Sequence, residues 1–360
     1  KSGFTSGAFE CISTQGISTA NANATINVNN NNLVNSVISG AATSSAFIGI
    51  ANLSAPGTLS ISGNTISGVT TTATTGGFTG IASQTGAVVN AININNNQIG
   101  TASSPAVTFS ATTTGAVTGV GVTAAAATCA TSISNNTFRN ATITSGFTGF
   151  GNTAASASLA MNGNVIRDIS TNSTSGTFAG VTNTGAVVNS ISMNNNLLGG
   201  GASNTITYSA ANSGVVYGIY NTAGAATASL SMNGNDVRGI GHSVPSTHGH
   251  YYFYNSAAVL NLNMSKNTLT NLSLNTSGSV YVLYHSYTMP ANGSKTVDSN
   301  SIVGTFTRAR AAATTYIEYD FGSSTSGVFN FRGNNFSNIT LDSAHTFYGI
   351  YNWDGGGYRK

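Results

Sequence analysis

The chain has 360 residues, and only 5% of them are charged, against about 25% in ordinary soluble proteins. Its 11 basic and 8 acidic residues leave a net charge of +3, and no basic cluster exists beyond Arg308 and Arg310, so no nucleic-acid partner is expected. No apolar run approaches the roughly 18 residues of a membrane span, and no signal peptide is recognisable, which implies a processed or excised chain if the protein is secreted.

The first element along the chain is Phe9-Glu-Cys11-Ile12, a copy of the phrase aromatic-x-Gly-apolar with Cys11 in the glycine's place. The phrase returns as Phe78-Thr-Gly80-Ile81, Phe147-Thr-Gly149-Phe150, Phe178-Ala-Gly180-Val181 and Phe347-Tyr-Gly349-Ile350. A glycine inside a strand marks a bend or a close backbone approach.

Alternating with it is a second phrase, apolar-x-apolar-x-x-Asn-x-apolar, as in Leu59-Ser-Ile61-Ser-Gly-Asn64-Thr-Ile66. Its anchors are Asn31, Asn64, Asn97, Asn136, Asn164, Asn196, Asn235, Asn267, Asn300 and Asn334, spaced by 33, 33, 39, 28, 32, 39, 32, 33 and 34 residues. The positions three before and two after each anchor are apolar in every copy, and period-two alternation over so short a run is a strand signal. The column before these is looser, being interrupted by Thr131 and Lys295.

A fixed period of this size predicts a solenoid, because one turn of chain cannot bury its own apolar face. The expected fold is all-β: a single right-handed parallel β-helix over residues 1–360, of about ten coils and roughly 33 residues per coil. At about 4.8 Å per coil the rod is on the order of 50 Å long. The anchors are expected to stack as an amide ladder, an architectural role in which each side chain donates to and accepts from its neighbours.

A longer repeat is superimposed. Val88-Val89-Asn90-Ala91-Ile92 returns as Val187-Val188-Asn189-Ser190-Ile191, and Val107-Thr-Phe109 returns as Ile206-Thr-Tyr208. The extra residues of the two long coils are expected to form a third short strand or a flap. Cys11 and Cys129 fall in coils several layers apart, too far for a disulfide. Both ends fall within a repeat and neither carries a recognisable cap, so the chain is expected to be a fragment of a longer array.

The Asn-, Gly-, Ser- and Thr-rich coils, with "NNN" runs and Gly-Asn-x-Ile phrases such as Gly63-Asn64-Thr-Ile66, resemble bacterial surface proteins built from β-strand repeats. Adhesin-like proteins of Bacteroidota and of autotransporter routes are the nearest in style. The resemblance implies an extracellular or cell-surface location and an adhesive or structural role, with surface glycans or other copies of the same protein as partners. It transfers no functional residues and implies no cofactor.

The rod is not uniform along its length. The position before the bend glycine reads Ile48, Thr79, Thr118, Thr148 and Ala179, then Tyr217, Tyr251, Tyr281, Tyr316 and Tyr348. Two residues after the glycine the column reads Ala51, Ala82, Gly121, Gly151 and Thr182, then Tyr220, Tyr254, Tyr284, Tyr319 and Tyr351. Ten of the 14 tyrosines lie in these two columns. They form a candidate strip for sugar rings or for a partner's apolar surface. The alternative is that one column points inward and fills a wider core, since positions three apart share a face only if the chain bends between them. Tyr252, Val282 and Ile317 replace the bend glycine in three of these coils.

His285, Glu318 and Asp320 are the candidate polar members of this strip. His285 and Asp320 share a column with Asn152, Asn183, Asn221, Asn255 and Asn352. They could be a base with its orienter or part of a metal site, although an amide ladder that tolerates one histidine and one aspartate is the simpler account. Glu318 interrupts an apolar column. His242, His248 and His250 could share a transition metal, but without a local carboxylate or cysteine they read as incidental residues of a solvated loop. Catalysis is not expected, because polysaccharide lyases and hydrolases need paired carboxylates or a calcium cluster, and here only Glu318 and Asp320 lie together. Three threonine rungs, Thr79, Thr118 and Thr148, are too few for an ice-binding face.

Overall fold

The structure is a computed structural model that describes residues 8–38, 44–200, 205–310, 313–322, 326–342, 344–352 and 358–359. Each repeat folds as one coil of a β-solenoid with about ten turns of ~33 residues. All paired strands run parallel, and no helix occurs among the described residues. The aromatic-x-Gly-apolar phrases stack as an eleven-stranded sheet, here sheet A, from Phe9–Thr14 to His345–Asn352. The strands leading into the anchors form a second eleven-stranded sheet, sheet B. Those following the anchors form sheet C, with twelve strands, plus a three-stranded patch in the first coils.

The corner between sheets B and C explains the anchor phrase. The residue before every anchor has positive φ, from 55° to 69°, at Asn30, Gly63, Asn96, Asn135, Gly163, Asn195, Gly234, Lys266, Ser299 and Gly333. Glycine and asparagine adopt this left-handed conformation at least cost, so "GN" and "NN" are corner signals. The anchor side chain then turns inward. Each anchor amide donates to the next anchor's Oδ1 at 2.9–3.2 Å, without a break from Asn31 to Asn334. It also donates to the carbonyl of the apolar residue three positions before the previous anchor, as Asn164 does to Ile133 at 2.8 Å.

In sheet A the bend glycine lets two consecutive residues face inward. A Cβ on Gly80 would meet the Gly119 carbonyl oxygen and Ile99 Cδ1, each at 2.7 Å. The flanking positions, three apart in sequence, therefore both face outward, and register is kept from coil to coil on either side of the bend. The core between the sheets holds the two apolar columns flanking the anchors, such as Ile61 and Ile66, fully buried. In the two long coils Val107–Phe109 and Ile206–Tyr208 pair in register with strands that the short coils also carry, at Val69–Thr71 and Ile169–Thr171. The inserted residues precede these strands, so the expected third strand is not added among the described residues. Cys11 and Cys129 are both free.

Candidate functional site

Sheet A presents the tyrosines on its outer face. In His250–Asn255 the pattern is inward His250, outward Tyr251, inward Tyr252 and Phe253, outward Tyr254, inward Asn255. Val280–His285 and Ala313–Asp320 repeat it. Tyr252, Val282 and Ile317 therefore keep the bend while pointing their side chains into the core, where they are 0–1% exposed. Both tyrosine columns lie outside the core. Nine of the ten tyrosines are half-buried, and Tyr348 is 37% exposed.

Within each column the rings are parallel. Tyr251, Tyr281, Tyr316 and Tyr348 follow one another at 4.6, 4.7 and 5.1 Å with interplanar angles of 4–8°. Tyr254, Tyr284, Tyr319 and Tyr351 follow at 4.3, 4.9 and 5.1 Å with angles of 7–10°. Tyr217 and Tyr220 begin the two columns with looser angles, 28° and 25° to their successors. Across the columns the rings meet edge to face, at 84° for the Tyr251–Tyr254, Tyr281–Tyr284 and Tyr316–Tyr319 pairs. Offset-parallel and edge-to-face contacts are the two arrangements that the ring quadrupole favours. The result is a herringbone strip whose interior ring faces are covered by neighbouring tyrosines, leaving ring edges for a partner.

Burial and the neighbouring phenols make the Tyr220, Tyr251 and Tyr284 hydroxyls harder to ionise. Tyr220 and Tyr284 are each raised to about 12, with desolvation as the largest cause. Tyr251 is raised by desolvation and then by the Tyr281 phenol.

The polar residues expected to accompany the strip are elsewhere. His285, Glu318 and Asp320 are at most 2% exposed and point into the rod, away from the tyrosines. They are therefore corrected from members of the strip to members of the core. The reason is register: His285 continues the inward column of Asn255, and Glu318 pairs with inward Leu283.

That inward column is a second amide ladder, with Asn152 donating to Asn183, Asn183 to Asn221 and Asn221 to Asn255 at 2.8–2.9 Å. Beyond it, His285 Nδ1 lies 3.4 Å from Asp320 and Nε2 lies 3.1 Å from Glu318. Lys295 Nζ donates to Asp320 at 2.8 Å and to the carbonyls of His285 and Tyr287. Asn352 donates to the other Asp320 oxygen at 3.2 Å.

With His285 protonated, two cations face two carboxylates, so the buried set is electroneutral. Burial alone would lower the His285 pKa, but hydrogen bonds and charge from Asp320 and Glu318 together raise it. Burial opposes Asp320's charge, yet His285 and Lys295 hold its pKa well below the usual carboxylate range. Lys295 was visible in the sequence only as an interruption of an apolar column; its partner across the core was not.

The three remaining histidines of the sequence reading are not a solvated loop. His248 and His250 are 1% and 0% exposed and His242 is half-buried. The segment from sheet C to sheet A folds their rings together against Tyr208, with centroids 4.7–5.2 Å apart. Two coils further along sheet C, Arg308 is fully buried. It donates to the Thr314 carbonyl at 2.7 Å, to Thr315 Oγ1 at 2.6 Å and to the carbonyls of Thr276 and Gly278.

No protein-family model matches this chain, and neither a curated protein nor a solved structure matches it.

Proposed function

We propose that the chain is a non-catalytic extracellular rod, a stalk or surface-fibre segment, whose adhesive contact is the tyrosine strip on its last five coils. The herringbone of ten tyrosines on the outside of sheet A is the observation that carries this reading. An exposed, regular aromatic surface of this kind is uncommon unless it meets something. Its ring edges repeat at the coil spacing, which suits a flat, periodic partner such as a surface glycan or another copy of the rod.

The inward position of His285, Glu318 and Asp320 supports a binding role over a cleaving one. It removes from the strip the carboxylates that a glycoside hydrolase would place on either side of a scissile bond.

The test has two arms. Electron microscopy of the purified chain should show rods, alone or end to end. Pull-down on insoluble cellulose and chitin, and on cells bearing surface glycans, should be reduced at least tenfold by the combined substitution Tyr254→Ser, Tyr284→Ser and Tyr319→Ser. Equal retention of the variant, or release of soluble oligosaccharides by the wild-type chain, would overturn the proposal.

A further inference from the structure

His242 ends the sheet C strand Ile240–His242, His250 starts the sheet A strand His250–Asn255, and His248 lies in the connection between them. One ring nitrogen from each lies within 4.8 Å of the others. The Nε2 atoms of His242 and His248 are 3.3 Å apart. A metal ion bonded to imidazole nitrogens at about 2.0–2.1 Å in tetrahedral geometry sets those nitrogens about 3.3–3.4 Å apart. One edge of such a site is therefore already in place, and the third nitrogen needs to close by about 1.5 Å at most.

Hydrogen bonding points the same way. His250 Nδ1 lies 3.1 Å from the buried Tyr252 hydroxyl, while its Nε2 is buried with no partner. A ligating histidine is usually oriented by such a bond through its other nitrogen. A buried unpartnered nitrogen costs about 1–3 kcal/mol unless something takes its lone pair. The bond that binding would sacrifice is a long one, from the Asn275 amide to His242 Nδ1 at 3.4 Å.

We infer that His242, His248 and His250 form a three-imidazole site for a late transition metal, zinc or copper. The ligand set is all nitrogen, which selects such ions over calcium or magnesium, both of which prefer oxygen. Among the described residues the other close set of potential ligands, His285 with Glu318 and Asp320, already holds cations of its own, Lys295 at 2.8 Å from Asp320 and a protonated His285 against both carboxylates. The histidine set has no carboxylate, and two cations lie near it: Arg308, whose charge acts on His250, and Arg310, which donates to the Ser246 carbonyl at 3.4 Å. A monovalent ion, Cu⁺, or Zn²⁺ carrying an anionic fourth ligand, suits that electrostatic setting. Sited at the corner that joins sheets C and A, the ion would pin the coil that carries the second rung of the tyrosine strip, Tyr251 and Tyr254.

The experiment uses the full chain without an affinity tag, stripped with chelator and titrated separately with Zn²⁺, with Cu⁺ under anaerobic reduction, and with Ca²⁺. One equivalent of zinc or copper should bind and raise the melting temperature, whereas Ca²⁺ should do neither. X-ray absorption at the metal edge of the wild-type protein should show three imidazole nitrogens, a readout that does not depend on any variant folding. His242→Asn and His250→Asn should each weaken binding at least tenfold, and His345→Asn should not. Substoichiometric uptake, an edge spectrum without imidazole, or unchanged affinity in His242→Asn would overturn the assignment.

Discussion

Replacing Asn164 with alanine tests whether the anchor ladder holds the rod together. The Asn164 side chain makes four hydrogen bonds. Its Oδ1 accepts from the Asn136 backbone amide at 3.0 Å and from Asn136 Nδ2 at 3.2 Å. Its Nδ2 donates to the Ile133 carbonyl at 2.8 Å and to Asn196 Oδ1 at 3.1 Å. Not all of these losses count equally. Asn136 Nδ2 keeps the Ile94 carbonyl, and Asn196 Oδ1 keeps the amide of residue 164.

The Asn136 amide loses its acceptor and the Ile133 carbonyl loses its side-chain donor, at a place where Asn136, Asn164 and Ile133 are all 0% exposed. At about 1–3 kcal/mol per buried unsatisfied group, the cost is about 2–6 kcal/mol. Equilibrium denaturation followed by far-ultraviolet circular dichroism measures it, with the exposed Asn23→Ala as reference. Because each coil touches only its neighbours, the defect should also broaden or split the transition as the rod parts near the fifth anchor. A loss below about 0.5 kcal/mol, the range of ordinary surface substitutions, would refute the ladder argument.

The other predictions follow from the same geometry. Lys295→Met removes the cation facing Asp320 and should cost about 3–5 kcal/mol, as breaking a buried pair does; denaturant titration checks it. The raised His285 contributes stability that is complete below pH 6.5 and lost as pH rises through its folded pKa, and the lowered Asp320 contributes stability lost only as pH falls well below 3.8. Melting temperature against pH should therefore decline on the alkaline side of neutrality, and the decline should be absent in His285→Asn. Tyr220 and Tyr284 should titrate late, near pH 12; the stability they add is present below about pH 10 and lost above it, read by ultraviolet difference absorbance. Gly163, at φ +65°, should accept asparagine, which holds the corresponding position in Asn96 and Asn135, and should reject valine at a cost of about 1–2 kcal/mol.

The repeat made the architecture legible because the anchor phrase encodes several constraints at once. Alternation gives strands, the left-handed corner demands Gly or Asn, and the amide that follows has a partner only in the next coil. Side-chain direction within sheet A was less legible, since a bend that turns two consecutive residues inward breaks the period of two on which such readings rest. Tyr251 and Tyr254 share a face for that reason. His285 and Asp320 were seen in an asparagine column, but the column's inward direction depends on the same bend. Lys295 carried a different signal, a single charge in an apolar column, whereas Arg308 was visible only as a basic neighbour of Arg310. What each one paired with came from other coils, 25 residues away for Asp320 and 30–32 for the carbonyls of Gly278 and Thr276.

The change from small residues to tyrosine on the outside of sheet A coincides with a change inside it, and the two have different causes. In the short coils, the N-terminal part of the rod pairs a phenylalanine at the first inward position with glycine at the bend, as in Phe47 with Gly49, Phe147 with Gly149 and Phe178 with Gly180. In the later coils the pairs become His250 with Tyr252, Val280 with Val282 and Thr315 with Ile317, all buried. In the Val280–Val282 and Thr315–Ile317 pairs the volume lost at one inward column is regained at the other, as close packing requires. The long coils obey the same rule by another route: Val216 with Gly218 leaves room that the buried Tyr208 fills from sheet C, its ring 6.4 Å from Phe178. Core volume is thus balanced among inward positions alone, and the outward tyrosines contribute nothing to it. A core that balances without them leaves the strip to be explained by its own ring-to-ring contacts and by whatever meets its edges. Gly180→Ile combined with Phe178→Val, which transplants the later pairing into an earlier coil, should therefore cost less than Gly180→Ile alone, although in both variants the new Cβ meets Leu198 and the Gly218 carbonyl oxygen. Equal losses of stability in the two variants would show that the inward columns are not exchanging volume.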